Sequence, residues 1–143
     1  MIRDSLVRLI TIPKIFDDCY LYFAQNYDHI PFSNKRIYYI TQAKRQIGRG
    51  FHAHHQTHQV LFCIQGHIKM VLDDGIRREE VILDKPEEGI FLNKMIWHEM
   101  HDFQENTILL VLASDVYKPE DYIRDYNEFV KLVKQKNQNE DKI

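Results

Sequence analysis

Apolar side chains recur at every second position in short runs along most of this chain, and turn-forming residues break the runs. That period marks strands with one buried face. Residues 2–12 alternate loosely through Ile2, Leu6, Leu9, Ile10 and Ile12, and Pro13 stops them. Residues 16–23 form an aromatic-rich strand candidate, followed by a turn over residues 26–29 and a break at Pro31. Residues 35–41 are β-branched and aromatic, which predicts a strand. Residues 42–50 are polar, contain Gly48 and Gly50, and read as a loop. Residues 52–65 read as one strand whose end, residues 60–64, is continuously apolar; Gly66 turns it. Residues 68–72 and 78–83 pair across Asp73-Asp74-Gly75, where glycine accepts positive φ. Beyond a turn at residues 84–89, short strands are expected at 90–92, 95–100 and 107–113. Past Pro119 the period changes. Tyr122, Ile123, Tyr126, Phe129, Val130 and Val133 recur at threes and fours, which predicts a helix.

Roughly nine or ten short strands at this spacing predict an all-β sandwich or barrel with one C-terminal helix. No internal repeat or linker divides it. The expected organisation is one domain over residues 1–133 and a polar, disordered tail over 134–143. A length of 143 residues suffices for one real core. The net charge of −2 implies no general attraction to nucleic acid or anionic membrane. No stretch reaches membrane-span or signal length. Cys19 and Cys63 sit in apolar segments without CxxC spacing, and read as buried free thiols of a reducing compartment. A cytoplasmic protein is expected.

Residues 49–59 hold four of the chain's eight histidines: His52, His54, His55 and His58. His52 and His54 alternate, so a strand turns both rings to one face. Two such imidazoles can hold a metal or move protons, since their pKa lies near neutrality and each ring has two distinct nitrogens. His52-Ala53-His54 followed by Gly66 resembles the spacing of metal-binding cupins, with Gln59 where that pattern has Glu. A neutral amide is a weak ligand in that place. His58 lies one residue away, which on a strand is the opposite face. His98 and His101 are the candidates for a third histidine. These residues favour metal-free proton transfer, with a metal centre as the alternative.

Five segments occur in one order: Lys35-Arg36-Ile37-Tyr38-Tyr39-Ile40, Arg49-Gly50-Phe51-His52-Ala53-His54, Leu72-Asp73-Asp74-Gly75, Trp97-His98-Glu99-Met100 and Asp121-Tyr122-Ile123-Arg124. Together, over about residues 30–130, they resemble the WxcM-like cupins, and within them the dTDP-4-keto-6-deoxyhexose 3,4-ketoisomerases of surface-sugar biosynthesis. The resemblance implies an all-β, cupin (RmlC-like) jelly-roll β-sandwich with a short C-terminal α-helix. It implies a homodimer with exchanged N-terminal strands, a dTDP-linked 4-keto-6-deoxyhexose as substrate, and no metal or other cofactor. Three departures concern substrate details. Asp17-Asp18-Cys19-Tyr20 stands where the family has Asp-Arg-Gly, His55 follows the histidine pair in place of Lys, and Asn93-Lys94 replaces a Pro-Pro pair.

Moving a ketone from C4 to C3 takes a proton from C3 and delivers one at C4, through an enediol or enediolate. A base and an acid must face one ring, with pKa values near neutrality. The expected catalytic residues are His52, His54 and Tyr38. The intermediate's oxygen needs a donor, which Tyr38, Tyr39 or His98 can supply. Arg36 and Arg49 suit the diphosphate, because guanidinium pairs bidentately with phosphate. Arg36, Arg49, Tyr39, His98 and Gln59 form the expected substrate-binding set. Alternation puts Arg36, Tyr38 and Ile40 on one face and Ile37 and Tyr39 on the other. Other readings are a dTDP-sugar epimerase, a metal-dependent cupin enzyme, and a non-catalytic nucleotide-sugar-binding cupin. His55 and His58 read as solvent-facing or packing residues, and Tyr122, Tyr126 and Phe129 as helix packing.

Overall fold

Strands that must bury one face close into two layers, and the computed structural model, which describes residues 5–141, shows two. In chain order the strands are β1 (Arg8–Thr11), β2 (Lys14–Phe16), β3 (Tyr20–Tyr22), β4 (Arg36–Thr41), β5 (Arg49–His54), β6 (Gln59–Gln65) and β7 (Ile68–Asp73). β8 (Arg78–Leu83), β9 (Glu88–Leu92), β10 (Trp97–His101), β11 (Ile108–Ala113), β12 (Tyr122–Ile123) and helix α1 (Tyr126–Asp141) follow. One sheet has the order β1-β9-β6-β11-β4 and the other β12-β5-β10-β7-β8, all antiparallel. This is the jelly roll that the resemblance implies.

Between the sheets, Leu61, Ile90, Leu92, Leu109 and Val111 meet Ile68, Met70, Leu72, Leu83 and Met100. Each such side chain contributes roughly 1.5–3 kcal/mol on burial. The outer face of the first sheet is apolar as well: Val60, Phe62 and Phe91 pack under Ile12, Ile30 and Phe32. Apolar cover on both faces explains why residues 60–63 do not alternate, while Ile64 beyond them is exposed. On the outer face of the second sheet, Phe129 of α1 packs with Ala53, Trp97 and Ile123. Among the described residues no helix is long and apolar enough to cross a membrane.

Several elements differ from expectation. Residues 52–65 are two strands in different sheets, β5 and β6. The polar break His55-Gln56-Thr57-His58 sends its amides elsewhere: those of His55 and Gln56 donate to Asp121, and that of His58 to Ser114 Oγ. Residues 16–23 are not one strand. β2 and β3 form a hairpin, with Asp18 at the positive φ of 58° that Asp tolerates. Tyr122 and Ile123 pair with β5 instead of starting the helix. α1 continues past Val133 to Asp141, over most of the stretch expected to be a disordered tail; residues 142–143 lie outside the described residues. β5 begins at Arg49, inside the expected loop. Cys63 is buried and Cys19 is exposed, and both are free. Ile2 lies outside the described residues.

Candidate active site

The histidine strand carries an irregularity that decides what it presents. β5 pairs with β10 as His98↔His52, then Glu99↔Gly50 and Met100↔Arg49, so Phe51 has no partner. Gly50 and Phe51 have φ of 88° and 58°. One extra residue in a strand resets its alternation. Arg49 and His52, which strict alternation would send to opposite faces, therefore both face the inter-sheet space. Glycine is required at position 50, because a Cβ there would lie 3.0 Å from the His98 carbonyl oxygen at a φ that L residues avoid.

His52, His54 and His98 gather at this end of the second sheet. The His52 ring lies 4.4 Å from that of His98 and 5.0 Å from that of His54, centre to centre. His52 Nδ1–H donates to the Gly50 carbonyl at 3.0 Å, and His54 Nδ1–H to Asp121 Oδ2 at 2.9 Å. Their Nε2 atoms are buried and unpartnered. Burial pushes the His52 pKa down to about 4, the Gly50 carbonyl opposing. Burial also lowers His54, opposed by Asp121, and takes His98 well below its ordinary value. All three rings are neutral bases near pH 7. One ring nitrogen from each lies within 4.8 Å of the others, so the trio is also the group able to hold a metal ion among the described residues.

On the facing wall, Tyr38 of β4 points inward as alternation predicts. Gln59 Nε2 donates to its hydroxyl at 3.0 Å. Burial raises its pKa to about 12, so it remains a proton donor. Between the walls opens a cavity of about 440 Å³ lined by Arg36, Tyr38, Ile40, Arg49, Gly50, His52, Met100, Tyr117, Tyr122 and Arg124. Three guanidiniums and no carboxylate line it. Such a site attracts an anion with several oxygens.

Of the expected residues, Arg36, Arg49, Tyr38 and His52 line the cavity. His54 and His98 sit behind His52 in the cluster. Gln59 is fully buried beneath Tyr38 and reaches the cavity through that tyrosine alone. Tyr39 is not brought to the site: it is 69% exposed on the outer face of β4. His58 packs on Phe91 and accepts from the Lys94 amide, and His55 is exposed. Sequence reasoning missed Tyr117, Asp121, Tyr122 and Arg124. The last three belong to one of the five quoted segments, and the helical spacing of Tyr122 and Ile123 hid their place.

The sequence matches the family described as FdtA: WxcM-like, C-terminal, over residues 5–134. It is 43% identical over 127 residues to a TDP-4-oxo-6-deoxy-alpha-D-glucose-3,4-oxoisomerase of Aneurinibacillus thermoaerophilus, covering 88% of this chain and 91% of that one. QdtA, a sugar 3,4-ketoisomerase of Thermoanaerobacterium thermosaccharolyticum solved in complex with TDP, shares the fold with TM-score 0.89 and 38% identity, covering 92% and 96% of the two chains. A 3,4-ketoisomerase of Helicobacter canadensis does so with TM-score 0.87 and 40% identity, covering 90% and 97%. These likenesses run through both sheets and the histidine strand alike, and the chain belongs to the FdtA, WxcM-like C-terminal family.

Proposed function

We propose that this protein is a sugar 3,4-ketoisomerase that converts dTDP-4-keto-6-deoxy-D-glucose to a dTDP-3-keto-6-deoxyhexose. The names of its relatives point to this reaction. The observation that carries it is the cavity whose lining brings three arginines, Arg36, Arg49 and Arg124, together with Tyr38 and His52. The arginines take the diphosphate. His52, neutral and with Nε2 free, removes the C3 proton, and Tyr38 donates to the oxygen that becomes negative at C4. Loss of the O3 proton and protonation at C4 complete the shift. His54 and His98, both neutral, support the charge that His52 gains.

Incubation with dTDP-4-keto-6-deoxyglucose in deuterium oxide, followed by NMR, tests this reading. The expected result is a 3-keto product with deuterium at C4. Unchanged substrate, or exchange with the ketone still at C4, overturns it. His52→Asn and His54→Asn should each lower the rate about 10²–10⁴-fold. A metal-dependent reading is favoured by the three-histidine cluster alone. Stoichiometric metal and activity lost to chelators would establish it.

The proposal includes a homodimer with exchanged N-terminal strands. Phe16, Tyr20 and Leu21 of the β2–β3 hairpin are exposed, as are Ile37, Tyr39 and Ile64 on the outer face of the first sheet. Next to them an apolar cavity of about 480 Å³ opens among Tyr22, Phe62, Leu110 and Leu112. A contiguous apolar surface of this kind suits a partner. The cytoplasm suits two free thiols.

A further inference from the structure

We infer that Asp121 is a positioning residue for the reaction: it holds His54 as its Nδ1–H tautomer, so that an Nε2 lone pair, not an N–H, lies inside the histidine cluster. This rests on the ketoisomerase reading. Asp121 ends the turn that leads into β12. Its Oδ2 accepts from His54 Nδ1–H at 2.9 Å and from Thr57 Oγ–H at 2.5 Å, and its Oδ1 accepts from the Gln56 amide at 2.7 Å. The carboxylate is 8% exposed. Burial acts to raise its pKa, but the bonds from Thr57, Gln56 and His54 outweigh that and hold it ionised. The next residues lock the arrangement. Tyr122 pairs with His54, its ring packs at a tilt 4.5 Å from that of His54 and 4.9 Å from that of His52, and Arg124 lies 4.5 Å over Tyr122.

The chemical consequence follows from where the free nitrogen of His54 sits. A ring nitrogen of His54 lies within 4.8 Å of one of His52. When His52 takes the substrate proton, its new charge is stabilised by a lone pair on His54 and opposed by an N–H dipole. A carboxylate on Nδ1 excludes the second case, since it can only accept.

Asp121→Asn separates this role from anchoring of the 55–58 loop. The Gln56 donor is a backbone amide and cannot reverse, so the new carbonyl oxygen stays on it. The new NH₂ then faces His54 Nδ1, which must become an acceptor and shift the proton to Nε2. Thr57 rotates its hydroxyl to accept. The variant should keep its fold and KM while kcat falls about 10²-fold or more, the scale of general acid–base losses. Nitrogen-15 NMR of the imidazoles should show His54 protonated on Nδ1 in the parent and on Nε2 in the variant. Asp125→Asn, which makes the same charge change at a residue that caps α1 through the Glu128 amide, should leave kcat unchanged. Turnover of Asp121→Asn at the parent rate overturns the role. So does a parent His54 protonated on Nε2, which decides the matter even if the variant does not fold. A parent without ketoisomerase turnover sinks the functional reading instead and leaves the tautomer result standing.

Discussion

Burying neutral histidines makes this fold acid-sensitive, and His52 allows the size of the effect to be worked out. Its folded pKa is about 4; in an unfolded chain it is about 6.5. Between those values the unfolded chain binds a proton that the folded chain refuses. Stability therefore rises with pH across this window and is lost as pH falls through the unfolded value, the loss being complete below the folded one. At about pH 5 the free-energy penalty is RT times the logarithm of about 30, or roughly 2 kcal/mol; at about pH 7.5 it is negligible. His52→Asn removes this penalty along with the packing of the ring. Packing loss is the same at both pH values, so the pH-dependent part stands out in the difference. Urea unfolding of parent and variant, at one protein concentration because the proposed dimer links stability to concentration, measures it. Going from about pH 7.5 to about pH 5 should move the stability difference by roughly 2 kcal/mol in the variant's favour. An unchanged difference, or a variant more acid-sensitive than its parent, would refute the reasoning.

Three further outcomes are expected. Ile64→Asp, at a position 41% exposed in the single chain, should leave the protomer folded and yield monomers by light scattering. Gly50→Ala should cost about 1–3 kcal/mol and raise KM for the nucleotide sugar, because relaxing the bulge turns Arg49 away from the cavity; thermal melts and steady-state kinetics check both. Chelators should leave turnover unchanged. Added Zn²⁺ should inhibit, because three neutral imidazoles whose nitrogens converge within 4.8 Å would give it the lone pair that His52 needs as a base.

Alternation alone sorted β4 correctly, putting Arg36 and Tyr38 inside and Ile37 and Tyr39 outside. It also put His52 and His54 on one face. It failed where backbone geometry breaks the period. Arg49 reaches the cavity through the unpaired Phe51, and a residue at positive φ other than glycine leaves no sign in the apolar pattern. The join between β5 and β6 was invisible for a related reason. The apolar run of β6 follows the histidines directly, and the polar break between them makes its hydrogen bonds to residues more than fifty positions away. β12 is two residues long and its apolar spacing coincides with that of α1, so periodicity assigned it to the helix. Asp121 stands in one of the five segments, but its role lies in contacts with residues 54–57 that no local spacing shows.

The segment Asp121–Arg124 is also the last part of the site to be synthesised. Arg36, Tyr38, Arg49, His52 and His98 all leave the ribosome before it, together with every strand of the first sheet and all but one of the second. A nascent chain can thus close its core while Tyr122 and Arg124 are absent from the cavity and His54 is free to exchange tautomers. Competence for turnover arrives only when the chain lays β12 along β5, and α1 then seals that strand from outside with Phe129. Chains truncated before Pro119 would lack Tyr122 and Arg124 in the cavity and the cover that Ile123 and Phe129 give Ala53 and Trp97.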